Sequence, residues 1–217
     1  MRLSVGGWEF AAGRKQKAAM YFRFRCHLKE LLLFVANELR KEFFIMKITT
    51  KQLTFCAVLA AIYVVLATWL HIESNAINIS VQSLPVLIGA VTLGPIPALF
   101  IAFVGEIIKQ MLYYGFDPTT ILWPIPYVIE GLAAGFIVKK ELGNVSKKKV
   151  ITAIIVGEIL LTLFVTPVNA LAAVIQGWGT WSMILVGIPP RILVMALRIA
   201  LYIFVIPGLY KRLKELV

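Results

Sequence analysis

Six apolar stretches, separated by short polar segments, occupy most of the chain after residue 49. Their approximate bounds are 50–70, 80–93, 96–112, 119–138, 150–171 and 183–210. Most of them approach the roughly 20 residues that a helix needs to cross a bilayer, whereas the second is short and interrupted by Pro85. Gly94-Pro95 predicts a tight turn, because glycine accepts positive φ and proline suits the first position of a helix. The pattern predicts an all-α membrane protein, a compact bundle of six transmembrane helices.

Lysine and arginine occur in every other connecting segment. The connections at about 71–79, 113–118 and 172–181 contain neither residue. The other segments carry Lys47, Lys51, Lys139, Lys140, Lys147, Lys148, Lys149, Lys211, Arg212 and Lys214. Because short cytoplasmic loops retain positive charge and short translocated loops exclude it, we predict a multi-pass protein of the cell membrane with both ends inside.

Composition supports the membrane class and excludes others. Hydrophobic residues make up 60% of the 217 residues and charged residues 15%, with a net charge of +11. The basic residues flank apolar stretches and form no motif interleaved with aromatic residues, so we predict contact with the lipid bilayer and none with nucleic acid. Two cysteines provide no disulfide framework and no CxxC metal site.

The first 45 residues form a basic extension, and the six-helix domain is expected over residues 46–217. The extension's one apolar run, 31–36, is too short to cross a bilayer. Two interpretations stay open. Residues 28–44 form a basic amphipathic helix on the inner leaflet, or Met46 is the true start and the extension is upstream sequence.

Charged side chains inside the predicted helices are candidates for a site, because a charge in hydrocarbon is expensive and usually faces a cavity or a partner. Glu106 and Lys109 are three residues apart and can pair on one helix face. Arg191 follows two prolines, which predicts a place in the first turn of the last helix. Lys109 and Arg191 near the outer ends suit a ligand carboxylate. Alternatively, Lys109 neutralises Glu106 and Arg191 anchors the helix at the interface.

Aromatic and amide side chains collect at the predicted outer loops. We single out Asn78, Gln82, Trp123 and Trp178 as ligand-binding candidates, with the aromatic rings stacking on a flat heterocycle and the amides reading its edge. An interfacial aromatic belt is the alternative. Two prolines at 124 and 126 are expected to deform the fourth helix and open space for a pocket.

Missing motifs argue against catalysis. The sequence has no GxxxxGK[ST] phosphate loop and no HExxH zinc site, and no Ser/His/Asp set can be assembled on one face. We therefore predict a solute-binding membrane subunit, not an enzyme, with no catalytic residues, no metal and no cofactor. A self-sufficient, proton-coupled carrier is the alternative, with Glu106, Glu130 and Glu158 as the proton relay.

The first helix carries Ala57 and Ala61 on one face. Small residues at this spacing let another helix approach closely. The spacing fits either internal packing or a docking surface for a partner.

Several short stretches together carry a resemblance to a known family. They are Tyr63-Val-Val-Leu-Ala67, Ile72-Glu-Ser74, Ile79-Ser80, Leu84-Pro85, Leu93-Gly-Pro95, Phe164-Val-Thr-Pro167 and Pro190-Arg191. Residues 47–217 resemble the S component, the substrate-binding subunit, of energy-coupling factor (ECF) vitamin transporters, particularly the folate-transporter-like branch. The resemblance implies a six-helix S-component bundle in an ECF-type ABC importer. It also implies a transmembrane coupling subunit, which Ala57 and Ala61 would contact, and two cytoplasmic ATPases.

The substrate expected from the resemblance is an anionic heterocyclic vitamin, with folate first. The chain has Thr68 where folate-specific relatives carry a basic residue, and Glu106 where they tend to have Asp. Pantothenate and a queuosine precursor are therefore kept as alternative substrates.

Overall fold

The computed structural model describes residues 49–73, 78–177 and 188–213, together with Leu33 and Asn37. From residue 49 onward, these ranges belong to one compact unit, Ile48–Val217. The proposed surface helix at 28–44 and the candidate Trp178 lie outside the described residues.

Six α-helices and one short hairpin make up the described part of the chain. In chain order they are α1 Thr50–Trp69, β1 His71–Glu73, β2 Asn78–Ser80, α2 Ser83–Leu93, α3 Pro95–Tyr113, α4 Pro124–Val138, α5 Lys147–Ile175 and α6 Ile188–Leu213. A single 3-10 turn, Lys139–Glu141, follows α4. The predicted helical bundle is confirmed, whereas the antiparallel hairpin, in which Ile72 pairs with Ile79, was not expected from the sequence.

Prolines begin helices in this fold where the sequence had suggested interruptions. Pro85 is the third residue of α2, so it does not interrupt that helix. Pro124 and Pro126 lie in the first turn of α4, and the expected deformation of a longer helix by these residues is therefore wrong. Residues 119–123 form turns instead. The physical reason is that the first turn needs no intrahelical N–H donors, which proline lacks.

The turn between α2 and α3 depends on a glycine, as predicted. Gly94 has φ of +101°, and Pro95 begins α3 directly after it. The Leu142 side chain lies over this turn, 3.2 Å from the position that a Cβ on Gly94 would occupy.

The lysine-bearing connections gather at one end of the bundle, which we call the basic end. The backbone N–H of Val145 donates to the Tyr210 hydroxyl at 2.8 Å and ties the α4–α5 loop to the end of α6. Lys149 pairs with Glu141 in the same loop. The opposite, hairpin end holds the β-hairpin, the residues between α3 and α4, and the start of α6. There the Tyr113 hydroxyl donates to the Thr68 carbonyl at 2.9 Å.

Helix α2 lies at the centre of the unit, and α1 and α6 lie at its edge. Nine of the eleven α2 residues are buried. In the most apolar windows of α1 and α6, only 22% and 17% of residues are buried, against 50% for α3. The helices α1, α3, α5 and α6 are long and apolar enough to cross a membrane. At 11 and 15 residues, α2 and α4 span only about 17 and 22 Å of the roughly 30 Å hydrocarbon core.

Glycines form notches in which neighbouring helices approach closely. A Cβ on Gly105 would lie 2.6 Å from the Tyr63 ring, and one on Gly131 would lie 3.1 Å from Ala98 Cβ. On Gly157 it would lie 3.3 Å from Glu130 Cγ. Each of these glycines is the sequence neighbour of a buried glutamate, at 106, 130 or 158. The notches bring the glutamates within reach of partners on other helices.

Candidate functional site

Glu106 is the centre of the first buried polar group. Its Oε2 accepts a hydrogen bond from the Tyr63 hydroxyl at 2.6 Å, which reaches it across the Gly105 notch. Its Oε1 accepts from Lys109 Nζ at 3.0 Å and from Gln110 Nε2 at 2.8 Å. The pairing predicted from the spacing of Glu106 and Lys109 is thus confirmed. Because the carboxylate is fully buried, these donors replace the hydrogen bonds that it would otherwise form with water.

A second polar group joins α2, α5 and α6. Glu158 on α5 accepts from Ser83 Oγ at 2.9 Å and pairs with Arg198 Nη2 at 3.0 Å. The Ser83 hydroxyl also lies 2.9 Å from the Tyr202 hydroxyl. Glu158, Ser83 and Tyr202 are all fully buried. The α5–α6 ion pair therefore lies inside the bundle, where a charge without a partner would be costly.

Tyr127 on α4 packs against the first polar group. Its ring contacts the Tyr63 ring edge-on, with centroids 5.9 Å apart and an interplanar angle of 88°. The side chain of Gln82, which is buried just before α2, is in hydrogen-bonding contact with Tyr127. Together, the two polar groups and Tyr127 include side chains from all six helices.

The two cationic candidates differ in what they already contact. Lys109 is only 8% exposed, and its ammonium is bound to Glu106. Arg191 lies in the first turn of α6, as predicted, and its Nη1 is a buried donor without a hydrogen-bond partner among the described residues. A ligand anion at the hairpin end would therefore find its available donor at Arg191.

The remaining candidates lie at the hairpin end or outside the described residues. Gln82 is 2% exposed, and Trp123 is half-buried at the residue before α4. Asn78 begins β2, opposite Glu73, and its side chain is not among those described. The structure therefore brings Gln82, Trp123 and Arg191 to one end of the bundle.

A group of hydrogen bonds at Asp117, the Asp117 latch, joins the α3–α4 connection to the end of α5. The Asp117 carboxylate accepts from the Thr119 backbone N–H at 3.2 Å and from the Thr119 hydroxyl at 3.1 Å. The Gln176 side-chain amide also donates to it. These hydrogen bonds, above all that from the Thr119 backbone, hold the pKa of Asp117 below its usual 3.8.

The alanine pair on α1 is exposed on the surface of the described unit. Ala57 and Ala61 lie on a face with Val58, Ile62 and Val65, whereas Ala60 on the adjacent face is buried. Internal packing within the described residues therefore does not account for the small size of Ala57 and Ala61. The exposed face is apolar and shallow.

A small cleft, open to solvent, lies at the other end of the bundle. Its lining includes Asn144, Lys147, Pro207 and Lys211. Because it lies at the basic end, it is remote from Arg191 and Trp123.

The sequence singled out Glu106 and Lys109, but Ser83 and Tyr202 were not predicted, and Tyr63 was noted only within a family stretch and not as a partner of Glu106. A signal was present for the glutamates, since each stands beside a glycine in an apolar helix. No local signal marks the hydroxyl partners, which are separated from their glutamates by 43 positions for Tyr63 and by 75 for Ser83.

Comparison with known proteins identifies the family. The family model described as the substrate-specific component of ECF transporters matches residues 51–210. The chain belongs to this family. The UPF0397 protein EAT1b_2102 of Exiguobacterium sp. (strain ATCC BAA-1283 / AT1b) is 30% identical over 141 residues, which are 63% of this chain and 67% of that protein. The predicted resemblance is confirmed.

A solved structure supports the fold of this S component. It is described as the structure and mechanism of the S component of a bacterial ECF transporter. It shares 22% identity at a TM-score of 0.56, covering 76% of this chain and 96% of that one. By its membership of the family, the protein is a multi-pass membrane protein and the substrate-specific component of a transporter. Membership of the family implies a small-molecule substrate and association with coupling and ATPase subunits.

Proposed function

We propose that this S component captures an anionic heterocyclic vitamin, with folate first, at the hairpin end and delivers it inward. A transmembrane coupling subunit and two cytoplasmic ATPases would drive delivery, because the chain has no phosphate loop of its own. The observation that carries the proposal is the available guanidinium of Arg191, at the same end of the bundle as Trp123 and Gln82.

The proposed orientation has six membrane crossings with both ends inside. The charge distribution supports it, because the Gly94 turn, the 139–149 loop and the end of α6 share one end of the bundle and the loop and helix end carry lysines. The short helices α2 and α4 would cross with the help of the turns that precede them, since buried irregular backbone is tolerated at membrane depth.

Arg191 is proposed as the residue that binds the vitamin's carboxylate. Its Nη1 has no acceptor among the described residues, and a guanidinium forms strong, directional hydrogen bonds with a carboxylate. Trp123 would stack on the heterocycle and Gln82 would read its edge. The proposed binding residues also include Lys109, Glu106, Asn78 and Trp178. Lys109 would interact with both Glu106 and the ligand.

The exposed face at Ala57 and Ala61 is proposed as the contact for the coupling subunit. Its small side chains permit close helix approach, which is a main source of helix association in lipid. Ala57→Trp and Ala61→Trp should therefore abolish uptake in cells that supply the coupling subunit and ATPases, while ligand binding by the purified protein is retained. Leu163→Trp, on an exposed position of α5, is the matched control and should leave both unchanged. Uptake that survives both alanine substitutions would contradict the contact.

The ligand assignment is tested in two steps. Mass spectrometry of small molecules that copurify with the protein identifies the vitamin, and calorimetry measures its Kd for the wild type and variants. Loss of a charged hydrogen bond costs about 1.5–3 kcal/mol, so Arg191→Gln should raise the Kd about 10- to 150-fold. Arg212→Gln, at the other end of α6, is the matched control and should leave the Kd unchanged. Equal Kd values for both variants would exclude Arg191 from the site.

The source of energy for transport distinguishes this function from that of a proton-coupled carrier. An S component should bind its vitamin as a purified protein but transport it only with the coupling subunit and ATPases present. Uptake by the chain alone that stops when the proton gradient is collapsed would favour the carrier.

A further inference from the structure

Glu130 is a buried carboxyl group whose environment the proposed substrate site does not explain. It is 0% exposed, and neither of its oxygens has a hydrogen-bond donor within the described part of the chain. Its Cγ packs into the notch at Gly157, directly before Glu158 on α5. The Glu130 side chain therefore lies against the stretch of α5 that carries the Glu158 carboxyl group, with which it interacts.

Two buried cations of the described interior are already paired with the other glutamates. Lys109 is bound to Glu106 at 3.0 Å and Arg198 to Glu158 at 3.0 Å. Three buried glutamates therefore face two paired cations, and Glu130 is the one without an ion-pair partner in the described residues. An ionised Glu130 would be a buried charge beside a second carboxylate, which is the least favourable arrangement for both.

The chemistry of carboxyl groups shows how the repulsion between Glu130 and Glu158 can be relieved. An ionised carboxylate only accepts hydrogen bonds, whereas a protonated carboxyl has one O–H donor. Two carboxyl groups in contact can therefore form a hydrogen bond only when one of them carries a proton. Glu158 already accepts from Ser83 and pairs with Arg198, so the ionised form belongs to Glu158 and the proton to Glu130.

We propose that Glu130 and Glu158 form an interior proton-binding site, in which a neutral Glu130 donates its proton to the Glu158 carboxylate and links α4 to α5. The titratable groups close enough to Glu130 to interact with it electrostatically are Tyr63 from α1, Glu158 from α5, and Arg198 and Tyr202 from α6, with Tyr127 on its own helix. A proton fits better than a metal ion, because the described residues contain no cluster of three His, Cys, Asp or Glu side chains. The site does not depend on the identity of the vitamin.

Infrared spectroscopy of the purified protein tests the proposal directly. At neutral pH the wild type should show the C=O band of a protonated carboxylic acid, and Glu130→Gln should abolish it. The amide introduced by this substitution can still donate to Glu158, so the variant should keep its fold. Glu141→Gln is the matched control, because Glu141 is an ion-paired carboxylate in the loop at the basic end, and this variant should leave the band unchanged.

A measurement on the wild type covers the case in which Glu130→Gln fails to fold. Solid-state NMR of protein labelled with ¹³C at the glutamate carboxyl carbons should show a neutral carboxylic acid at neutral pH. Carboxyl signals that are all ionised would overturn the proposal, as would a protonated band that survives Glu130→Gln. A marked stabilisation by sodium at constant pH would assign the site to a cation instead and would equally overturn it.

Discussion

Removing the Tyr63 hydroxyl tests whether the Glu106 network stabilises the bundle. Tyr63→Phe keeps the ring in the Gly105 notch and against Tyr127, so packing is preserved. It deletes the donor to Glu106 Oε2, whereas Oε1 keeps Lys109 and Gln110. A fully buried carboxylate oxygen is then left without its 2.6 Å hydrogen bond.

The expected loss of unfolding free energy can be judged from two reference values, one for hydrogen bonds to charged groups and one for hydrogen bonds between membrane helices. Hydrogen bonds to charged groups contribute about 1.5–3 kcal/mol. Interhelical hydrogen bonds in membrane proteins average about 0.6 and reach about 1.7 kcal/mol, because the denatured state in lipid also finds partners. The short distance and full burial at Glu106 place this bond near the upper membrane value, so we expect the free energy of unfolding to fall by about 1–2 kcal/mol. That corresponds to a decrease in Tm of roughly 2–8 °C.

Reversible denaturation in mixed micelles measures this free energy, and Tyr113→Phe is the matched control. The Tyr113 hydroxyl donates to the Thr68 carbonyl on the exposed surface, so its removal should cost less than about 0.5 kcal/mol. In a Glu106→Gln background, the effect of Tyr63→Phe should shrink, because the charge that strengthens the bond is gone. Equal losses for the two tyrosine variants, or additivity with Glu106→Gln, would refute the reasoning.

Two further predictions concern the packing of α3 on α4 and the Asp117 latch. Gly135→Ala should lower the unfolding free energy by about 1–3 kcal/mol, because the new Cβ would lie within 3 Å of the Pro95 backbone. Gly208→Ala is the control and should be nearly neutral in the same denaturation assay, because no atom lies within 4 Å of the position its Cβ would take. An unchanged unfolding free energy for Gly135→Ala would contradict the close approach of the two helices. The Asp117 latch should hold at neutral pH and weaken as the pH falls below 3.8, because the carboxylate that accepts its hydrogen bonds has a lowered pKa in the folded state. Fluorescence of Trp123, with the other tryptophans replaced by Phe, should report this transition, and a transition that persists in Asp117→Asn would assign it to another group.

The helices and the short-range pairs could be predicted from the sequence because their signals are local. The six apolar stretches locate α1 to α6 to within a few residues, apart from the start of α4, and the predicted start of α6 at 183 lies outside the described residues. Pairing of Glu106 with Lys109 follows from helical geometry alone, and so does the place of Arg191 in the first turn of α6.

The start of α4 and the second polar group could not be predicted from local signals. Two prolines after an aromatic residue fit either a distorted helix or the first turn of a new one, and only tertiary packing selects the latter at Pro124. The Glu158–Arg198 pair joins residues 40 positions apart, and its geometry depends on how α5 and α6 pack. Side chains at such separations carry no periodicity that would show them to be neighbours.

The glycines beside the three buried glutamates constrain how this interior can be redesigned. If a buried glutamate is moved along its helix, it also moves away from the glycine notch that lets its partner approach. A single substitution would therefore create either a steric clash or a buried carboxylate without a partner. An engineer who wishes to relocate the charge must therefore transfer a two-residue unit, glycine and glutamate together, to a position where the facing helix offers a donor.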